Sequence, residues 1–323
     1  MPELPEVETI RASLARLIVG CKIAGSQVYD SPKSFPNDPH AVKLFLHGAV
    51  VTAVQRRAKV LLIRLDTNYT LVIHLKMTGQ IIVRGARKQG SRASSRAPGK
   101  TATNLAKKII QAPEPLETAD FAGGHPNDSL IGELPDRSTR VQLDFADGTR
   151  LFFNDQRKFG WMKLYPTPEV ESIPFMQKVG PEPLDPRTTA QDFIARIRRH
   201  NNTTLKAAIL NQATLAGVGN IYADEALWLA RLHPATRVRA VADEQLAKLF
   251  RSIRQVLQLG IDKGGSTDRN YVDAEGNRGN YLEYANVFRR EGQPCRRHAD
   301  AVIEKIRVAG RGTHICPACQ VVQ

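Results

Sequence analysis

Apolar residues recur at helical spacing near the start of the chain, at Val7, Ile10, Leu14 and Leu17. Pro5 suits the first turn of such a helix. Between residues 20 and 165 the pattern changes to short, β-rich apolar runs separated by turn signals such as Asp147-Gly148. The clearest runs are 50–56, 60–65, 71–74, 141–145 and 151–153. Closely spaced strands of this kind predict a β-sandwich.

The second half of the chain has a different pattern. A proline-rich linker at 166–185 precedes apolar residues at helical spacing, and the predicted helices are 189–199, 205–211, 220–230 and 243–259. The pattern therefore predicts an α+β protein. Its parts are an N-terminal β-sandwich domain at 1–165, a helical domain at 186–285 and a Cys/His-containing segment of short strands at 286–323.

The interval 84–136 interrupts the predicted sandwich as an insertion. Its first part, 84–100, is basic and contains neither acids nor large apolar residues. Such composition is typical of a flexible loop, because it offers little to bury. A solvated loop and a basic arm that adds nonspecific DNA affinity explain it equally well.

Charge narrows the class of partner. The 323-residue chain has a formal net charge of +14, which indicates an acidic partner, either nucleic acid or an anionic membrane surface. No apolar run has the length of a transmembrane span, and the acidic N-terminus does not resemble a signal peptide. We therefore expect a cytoplasmic protein that binds no membrane. In that compartment the four cysteines do not predict a disulfide framework.

The first residues suggest amine chemistry. Removal of Met1 would leave the secondary amine of Pro2 as the N-terminus. An α-amino group titrates near pH 8, and the positive end of a helix disfavours its protonated form. An unprotonated amine beside the carboxyl group of Glu3 is the outline of a Schiff-base enzyme. On pattern alone, an ordinary first helix with a disordered leader explains these residues as well.

Several segments, in the same order along the chain, resemble one family. They are 1–11, 55–59, 74–79, 155–160, 216–226 and 310–313. Together they resemble the formamidopyrimidine-DNA glycosylases, bacterial enzymes that excise oxidised purines such as 8-oxoguanine. The resemblance covers most of the chain except residues near 85–135. It implies a β-sandwich flanked by helices, then a helix–two-turn–helix domain and a zinc-finger β-hairpin.

The resemblance implies four catalytic residues. The Pro2 nitrogen would attack C1′ of the extruded nucleotide, and Glu3 would act as general acid and base at the sugar ring. Lys59 would bind phosphate and donate a proton in the first elimination. Arg311 would bind phosphate and assist the second elimination. Glu6 would orient the N-terminal helix or serve only as a first-turn acid.

It also implies a set of DNA-binding residues. Met77, Arg157 and Phe159 would fill the duplex gap left by the extruded nucleotide, and His74 would contact phosphate. Lys206 and Asn220 would contact the lesion strand; we expect Asn220 to be the N-cap of its helix. The members of this set are His74, Met77, Arg157, Phe159, Lys206 and Asn220. A glycine-rich loop near 264–282 would close over the flipped base.

The C-terminal segment departs from the family pattern of four cysteines. The corresponding residues are Cys295, His298, Cys316 and Cys319. A Cys3His set is a normal structural zinc site, so the sequence predicts one bound Zn²⁺. His314 is a weaker candidate ligand, and a zinc-free hairpin is the alternative.

Together the resemblance and the charge predict a monomeric enzyme of base excision repair. It would remove oxidised purines from double-stranded DNA and cleave the strand by β,δ-elimination. Two alternatives are an endonuclease VIII-like glycosylase for oxidised pyrimidines and a non-catalytic protein that binds lesions or abasic sites.

Overall fold

The computed structural model describes residues 1–29, 32–87, 118–124, 132–266 and 279–322. Helix α1 (Leu4–Ile18) opens the chain, with Pro5 in its first turn. Its buried face is the one that the apolar spacing predicts, because Val7, Ile10 and Leu14 are inaccessible to solvent. These side chains join the core of the N-terminal half.

The N-terminal half is a sandwich of two antiparallel sheets, with the short helix α2 (Pro39–Phe45) after the first strand. Across one sheet the described strands are β1 (Ile23–Val28), β7 (Thr139–Phe145), β8 (Arg150–Asp155), β5 (Gly79–Arg87) and β6 (Thr118–Gly124). Across the other they are β2 (Val51–Arg57), β3 (Val60–Leu65), β4 (Tyr69–His74) and β9 (Trp161–Pro166). The apolar faces of both sheets share a core with α1, which confirms the predicted sandwich.

The interval 84–136 is not a loop throughout. Residues 84–87 complete β5, and 118–124 form β6, which pairs with β5 through Val83 and Phe121. Phe121 is buried, so β6 covers apolar surface that the sandwich would otherwise expose. The rest of the predicted basic loop, 88–117, and residues 125–131 lie outside the described ranges.

The proline-rich segment 166–185 is more than a tether. It contains a 3₁₀ helix at Thr167–Ser172 and the short helix α3 (Pro174–Lys178). Val170 and Met176 are buried against Val60 and Val72 on the outer face of a sheet. The segment therefore covers that face of the sandwich before the chain enters its second half.

The second half is helical, as predicted. Its helices are α4 (Ala190–Ile197), α5 (Leu205–Leu210), α6 (Asn220–Ala230), α7 (Asp243–Asp262) and the short α8 (Tyr281–Tyr284). A hairpin of β10 (Glu304–Val308) and β11 (Arg311–Ile315) follows them. The architecture is α+β with helical and hairpin C-terminal parts. Among the residues that the structure describes, no helix is both long and apolar enough to cross a bilayer.

Candidate active site

A cavity of about 610 Å³ lies where the first helix, the β2–β3 turn, the start of α6 and the C-terminal hairpin meet. The predicted site residues along its walls are Glu3, Lys59, His74, Met77, Asn220 and Arg311. Met1 also lines the cavity, and Pro2 is buried directly after it. Folding thus gathers the predicted catalytic residues from both halves of the chain.

Glu3 is the N-cap of α1, and its carboxylate meets the N-terminus of α6. The Ile221 backbone N–H donates to Glu3 Oε1 at 3.2 Å, and the side chain is only 4% exposed. Burial raises the pKa of Glu3 to about 7, although Lys59 opposes the shift. A carboxyl group with this pKa exchanges a proton near neutral pH, as a general acid–base catalyst must.

The glycines of the 216–219 turn make room for the start of the chain. A Cβ atom on Gly219 would lie 2.0 Å from the carboxyl carbon of Glu3. A Cβ atom on Gly217, whose φ is +81°, would lie 2.7 Å from the Leu4 side chain. The Leu4 N–H also donates to the Gly217 carbonyl at 3.1 Å. This turn therefore seats the N-terminus against α6.

Lys59 lies in the turn between β2 and β3 and is only 6% exposed. Its Nζ donates to the Val218 carbonyl at 3.0 Å, across the boundary between the two halves. Burial lowers the pKa of Lys59; Glu3 opposes this shift and Arg311 adds to it. The ammonium is thus held in the same local field as Glu3 and Arg311, where a lowered pKa assists proton transfer.

His74 is a buried, neutral imidazole at the end of β4. Burial, with weaker contributions from Lys76 and Lys59, lowers its pKa to about 3. The Lys76 backbone N–H lies 3.1 Å from Nδ1 of His74, which makes that nitrogen the acceptor. The neutral ring therefore carries its proton on Nε2, which can donate a hydrogen bond to an oxygen ligand.

Met77, Arg157 and Phe159 lie together on the surface beside the cavity. Arg157 Nη1 lies 3.5 Å from the Met77 sulfur, and its guanidinium carbon lies 4.9 Å from the Phe159 ring centroid. Met77 is 44% exposed and Phe159 52% exposed, so neither side chain is packed in the core. The buried carboxylate of Asp155 supports their turn by accepting the Gly160 N–H at 2.6 Å.

Arg311 stands at the tip of the hairpin. The preceding Ala309 and Gly310 have φ of +49° and +76°, as a tight type I′ turn requires. Arg311 is exposed and lines the cavity next to Gly312. The turn therefore presents its guanidinium to the space in front of the N-terminus.

Lys206 occupies a different place from the one that the sequence suggests. Its side chain is fully enclosed, and Nζ lies 2.6 Å from Asp224 Oδ1. The same Nζ donates to Thr313 Oγ1 at 2.7 Å and to the Gly312 carbonyl at 3.0 Å. The structure thus gives Lys206 no direct access to a ligand. It joins α5 and α6 to the strand that carries Arg311.

Asn220 is the first residue of α6 rather than its N-cap, so that expectation is wrong. Gly219 is the cap, and its lack of a side chain leaves room for Glu3. Asn220 lines the cavity, and its Nδ2 donates to the Gly312 carbonyl at 3.2 Å. Asn220 and Lys206 therefore share one acceptor on the hairpin.

The Cys3His set converges as predicted. The ligand atoms of Cys295, His298, Cys316 and Cys319 all lie within 4.8 Å of one another. The sulfurs of Cys295 and Cys319 are 3.7 Å apart, close to the roughly 3.8 Å expected for two thiolates on a tetrahedral zinc ion. His314 is not part of the set; its ring lies between Asp224 and Glu291. The residues present fit one structural zinc ion.

Sequence reasoning left several buried acids without a definite role. Glu6 accepts hydrogen bonds from the Glu3 N–H, Tyr222 and Ser266, and therefore links α1 to α6 and to the start of the 264–282 loop. Glu225 accepts the N–H groups of Val287 and Phe288, so it binds α6 to the C-terminal segment. In the sequence, the position of Glu225 among the apolar residues of α6 could have indicated a buried acid with a structural role. Residues 267–278 of the predicted loop lie outside the described ranges.

Family models match almost the whole length of this architecture. Residues 1–162 match the formamidopyrimidine-DNA glycosylase N-terminal domain, and residues 179–271 match the H2TH domain of the same enzymes. Residues 300–321 match the zinc finger found in FPG and IleRS. That last match includes Cys316 and Cys319 and supports zinc as the metal of the Cys3His set.

Individual relatives agree with the family models. A formamidopyrimidine-DNA glycosylase of Herpetosiphon aurantiacus is 38% identical over 323 residues, with 99% of this chain and 100% of the relative covered. A Lactococcus lactis Fpg in complex with abasic-site DNA is 30% identical, with a TM-score of 0.77 and 99% of both chains covered. MutM in complex with carbocyclic 8-oxo-G DNA is also 30% identical, with a TM-score of 0.76, covering 99% of this chain and 100% of that one.

Together with the family models and relatives, the sandwich, the glycine turn and the cavity that holds Glu3 at the N-terminus identify a DNA glycosylase of base excision repair. The chain belongs to the formamidopyrimidine-DNA glycosylase family.

Proposed function

We propose that the protein excises oxidised purines, 8-oxoguanine and formamidopyrimidines, from duplex DNA and then cleaves the strand by β,δ-elimination. The observation that carries the proposal is the cavity in which Glu3, Lys59 and Arg311 surround the first residues of the chain. The solved relative bound to 8-oxo-G DNA supports a purine lesion as the substrate.

The proposed reaction begins after Met1 has been removed. The Pro2 nitrogen forms a bond to C1′, and the glycosidic bond breaks with its electron pair leaving on the base, which takes up the proton that the Pro2 N–H loses. Glu3, with a pKa near 7, supplies a proton to the sugar ring as it opens. The C1′–O4′ bond breaks in this opening, its electron pair goes to O4′, and the Pro2 nitrogen becomes a cationic iminium, which acidifies the 2′ hydrogens. Loss of a 2′ proton expels the 3′ phosphate, and a second elimination expels the 5′ phosphate.

The other cavity residues would hold the DNA during these steps. Lys59 and Arg311 supply positive charge for the phosphates that leave, and the Nε2–H group of His74 supplies a neutral donor. The exposed Met77, Arg157 and Phe159 would fill the gap in the duplex. Asn220, at the N-terminus of α6, would contact the lesion strand.

The remaining assignments extend this proposal. The loop near 264–282 would close over the flipped base; the backbone N–H of Ser266, one of its described residues, donates to Glu6. The enzyme would act as a monomer in the cytoplasm, associated with the nucleoid when bound to DNA, as its net charge of +14 favours.

We divide it into a catalytic domain at 1–165, a linker at 166–185, a DNA-binding domain at 186–285 and a zinc finger at 286–323.

Excision assays test the substrate class. Duplexes that carry one 8-oxoguanine or one thymine glycol are incubated with the mature enzyme, and base release is measured in single turnover. We expect faster release of 8-oxoguanine. Faster release of thymine glycol would support the endonuclease VIII-like alternative, and no release from either would support a binding protein.

A further inference from the structure

An ion network joins three segments beside the turn that carries Lys59. Glu182, in the segment between the sandwich and the helical domain, accepts hydrogen bonds from Arg56 at 2.8 Å and Arg57 at 3.0 Å. Arg56 also donates through Nε to Glu8 of α1 at 2.9 Å. Because Pro2 directly precedes the N-cap of α1 and β2 leads to Lys59, this network fixes two parts of the proposed catalytic site relative to each other.

The same carboxylate holds an unusual backbone conformation. Ala58 has a φ of +52°, in the left-handed region that alanine rarely adopts. Its N–H donates to Glu182 Oε1 at 2.6 Å, and its carbonyl accepts from Arg56 Nη1 at 2.8 Å. Both polar backbone groups of Ala58 are thus held by the network, which offsets the strain of the turn.

The conformation of Ala58 determines where Lys59 points. The Lys59 side chain enters the cavity and reaches the Val218 carbonyl of the helical domain. If Ala58 relaxed to a negative φ, the next side chain would be redirected. Glu182 therefore lies outside the cavity but acts on a residue within it.

Burial and opposite charge stabilise the contacts between Glu182 and the two arginines. The Glu182 side chain is 18% exposed and that of Arg56 is 10% exposed. Although burial alone would raise the pKa of Glu182, Arg56 and the Ala58 amide lower it below its ordinary value. Arg57 also donates to the Gly180 carbonyl at 2.7 Å, and the Gly180 N–H donates to the Gln212 carbonyl at 2.8 Å. The network thus reaches both domains.

We propose that Glu182 is a positioning residue for the elimination chemistry, which it serves by holding Ala58 and thereby aiming Lys59 into the cavity. This inference rests on the proposed function, in which Lys59 takes part in the first elimination. Glu182 does not itself touch the substrate.

The first experiment measures strand cleavage of a duplex with a preformed abasic site in single turnover. We expect Glu182→Ala to slow the first elimination by about 10- to 100-fold, because small misplacements of catalytic groups have effects of that size. The dissociation constant for the duplex should change by much less. Glu169→Gln, which changes an exposed acid of the same segment, is the matched control and should cleave like the wild type.

A rescue variant separates positioning from general stability. Glycine adopts a positive φ without strain, so adding Ala58→Gly to Glu182→Ala should recover several-fold of the lost rate. A purely structural Glu182 would give a lower melting temperature and no such recovery. If Glu182→Ala does not fold, Glu182→Met, which has a side chain of similar length but cannot accept the Ala58 N–H bond, replaces it in both measurements.

The outcomes are distinguishable. Cleavage by Glu182→Ala or its Met replacement at the wild-type rate would overturn the inference, as would a slow variant that Ala58→Gly leaves unchanged. A wild-type enzyme that fails to cleave abasic DNA would instead refute the proposed function.

Discussion

At the scale of single residues, burial determines the chemistry of the site. Glu3, Lys59 and His74 are all largely enclosed, and burial is the main cause of each pKa shift. The three shifts favour the uncharged forms, since burial penalises charge. The sequence predicted these residues by resemblance, but it could not show their protonation, which depends on packing from both halves of the chain.

Glu3 should make the fold less stable as pH rises. Its pKa is about 7 in the folded protein and 4.5 ordinarily, so the folded state binds this proton more tightly. Stability is therefore lost as pH rises from about 4.5 to 7, by roughly 2–3 kcal/mol between pH 5 and 8. Urea denaturation of Glu3→Gln at both pH values should show a gain over the wild type that is larger at pH 8.

The exposed Glu244 is the control for this measurement. Glu244→Gln should give the same difference from the wild type at pH 5 and at pH 8, because its side chain is exposed and lies outside the cavity. An equal effect of Glu3→Gln at both pH values would show that burial does not raise the Glu3 pKa.

At the scale of elements, the C-terminal hairpin depends on α5 and α6 for its position. Lys206 and Asp224 form a buried ion pair, and Asp224 also accepts a hydrogen bond from the backbone N–H of His314 at 2.9 Å. The spacing of apolar residues predicted the first and last residues of α5 and α6 to within one position. It could not show that Lys206 turns inward, because its enclosure requires a strand that lies about one hundred residues further along the chain.

Lys206→Met should reduce stability as well as activity. Breaking a buried ion pair leaves an uncompensated charge and costs about 3–5 kcal/mol. The free energy of unfolding, measured by urea denaturation, should fall by this amount, and Asp224→Asn in the same chain should return part of it. Lys248→Met, at an exposed position, is the control. Unchanged stability with weakened DNA binding would instead support Lys206 as a surface contact.

The Cys3His set should hold one zinc ion per chain. Metal analysis of the purified protein tests this, and His298→Ala should lower the zinc content because one ligand is lost. His314→Ala is the matched control, since its ring lies against Asp224 and Glu291 rather than the sulfurs. Equal zinc loss in both variants would contradict the ligand assignment.

At the scale of the whole molecule, the periodicity of apolar residues predicted the sandwich, the helical half and their order. It missed β1, β5, β6 and β9, of which β6 lies within the interval predicted as a loop. It also treated 166–185 as a tether, although Val170 and Met176 pack on a sheet. These misses share a cause, because each segment is stabilised by distant partners that local pattern does not reveal.

The net charge of +14 should make DNA binding strongly dependent on salt. Each phosphate that the protein neutralises releases counterions and contributes about −0.9 to the slope of log K against log salt. Arg311→Gln should reduce the magnitude of that slope by about one, as measured by fluorescence anisotropy with an abasic duplex. A flat response of the wild type would contradict a phosphate-led interface.

The central claim is that the Pro2 nitrogen becomes bonded to C1′ of the damaged nucleotide. Borohydride reduction during reaction with abasic DNA, followed by peptide mass spectrometry, tests it most directly. We predict a trapped adduct on the N-terminal peptide, at Pro2, and no adduct when Met1 is retained. An adduct on Lys59 or another lysine, or cleavage without any adduct, would contradict the account.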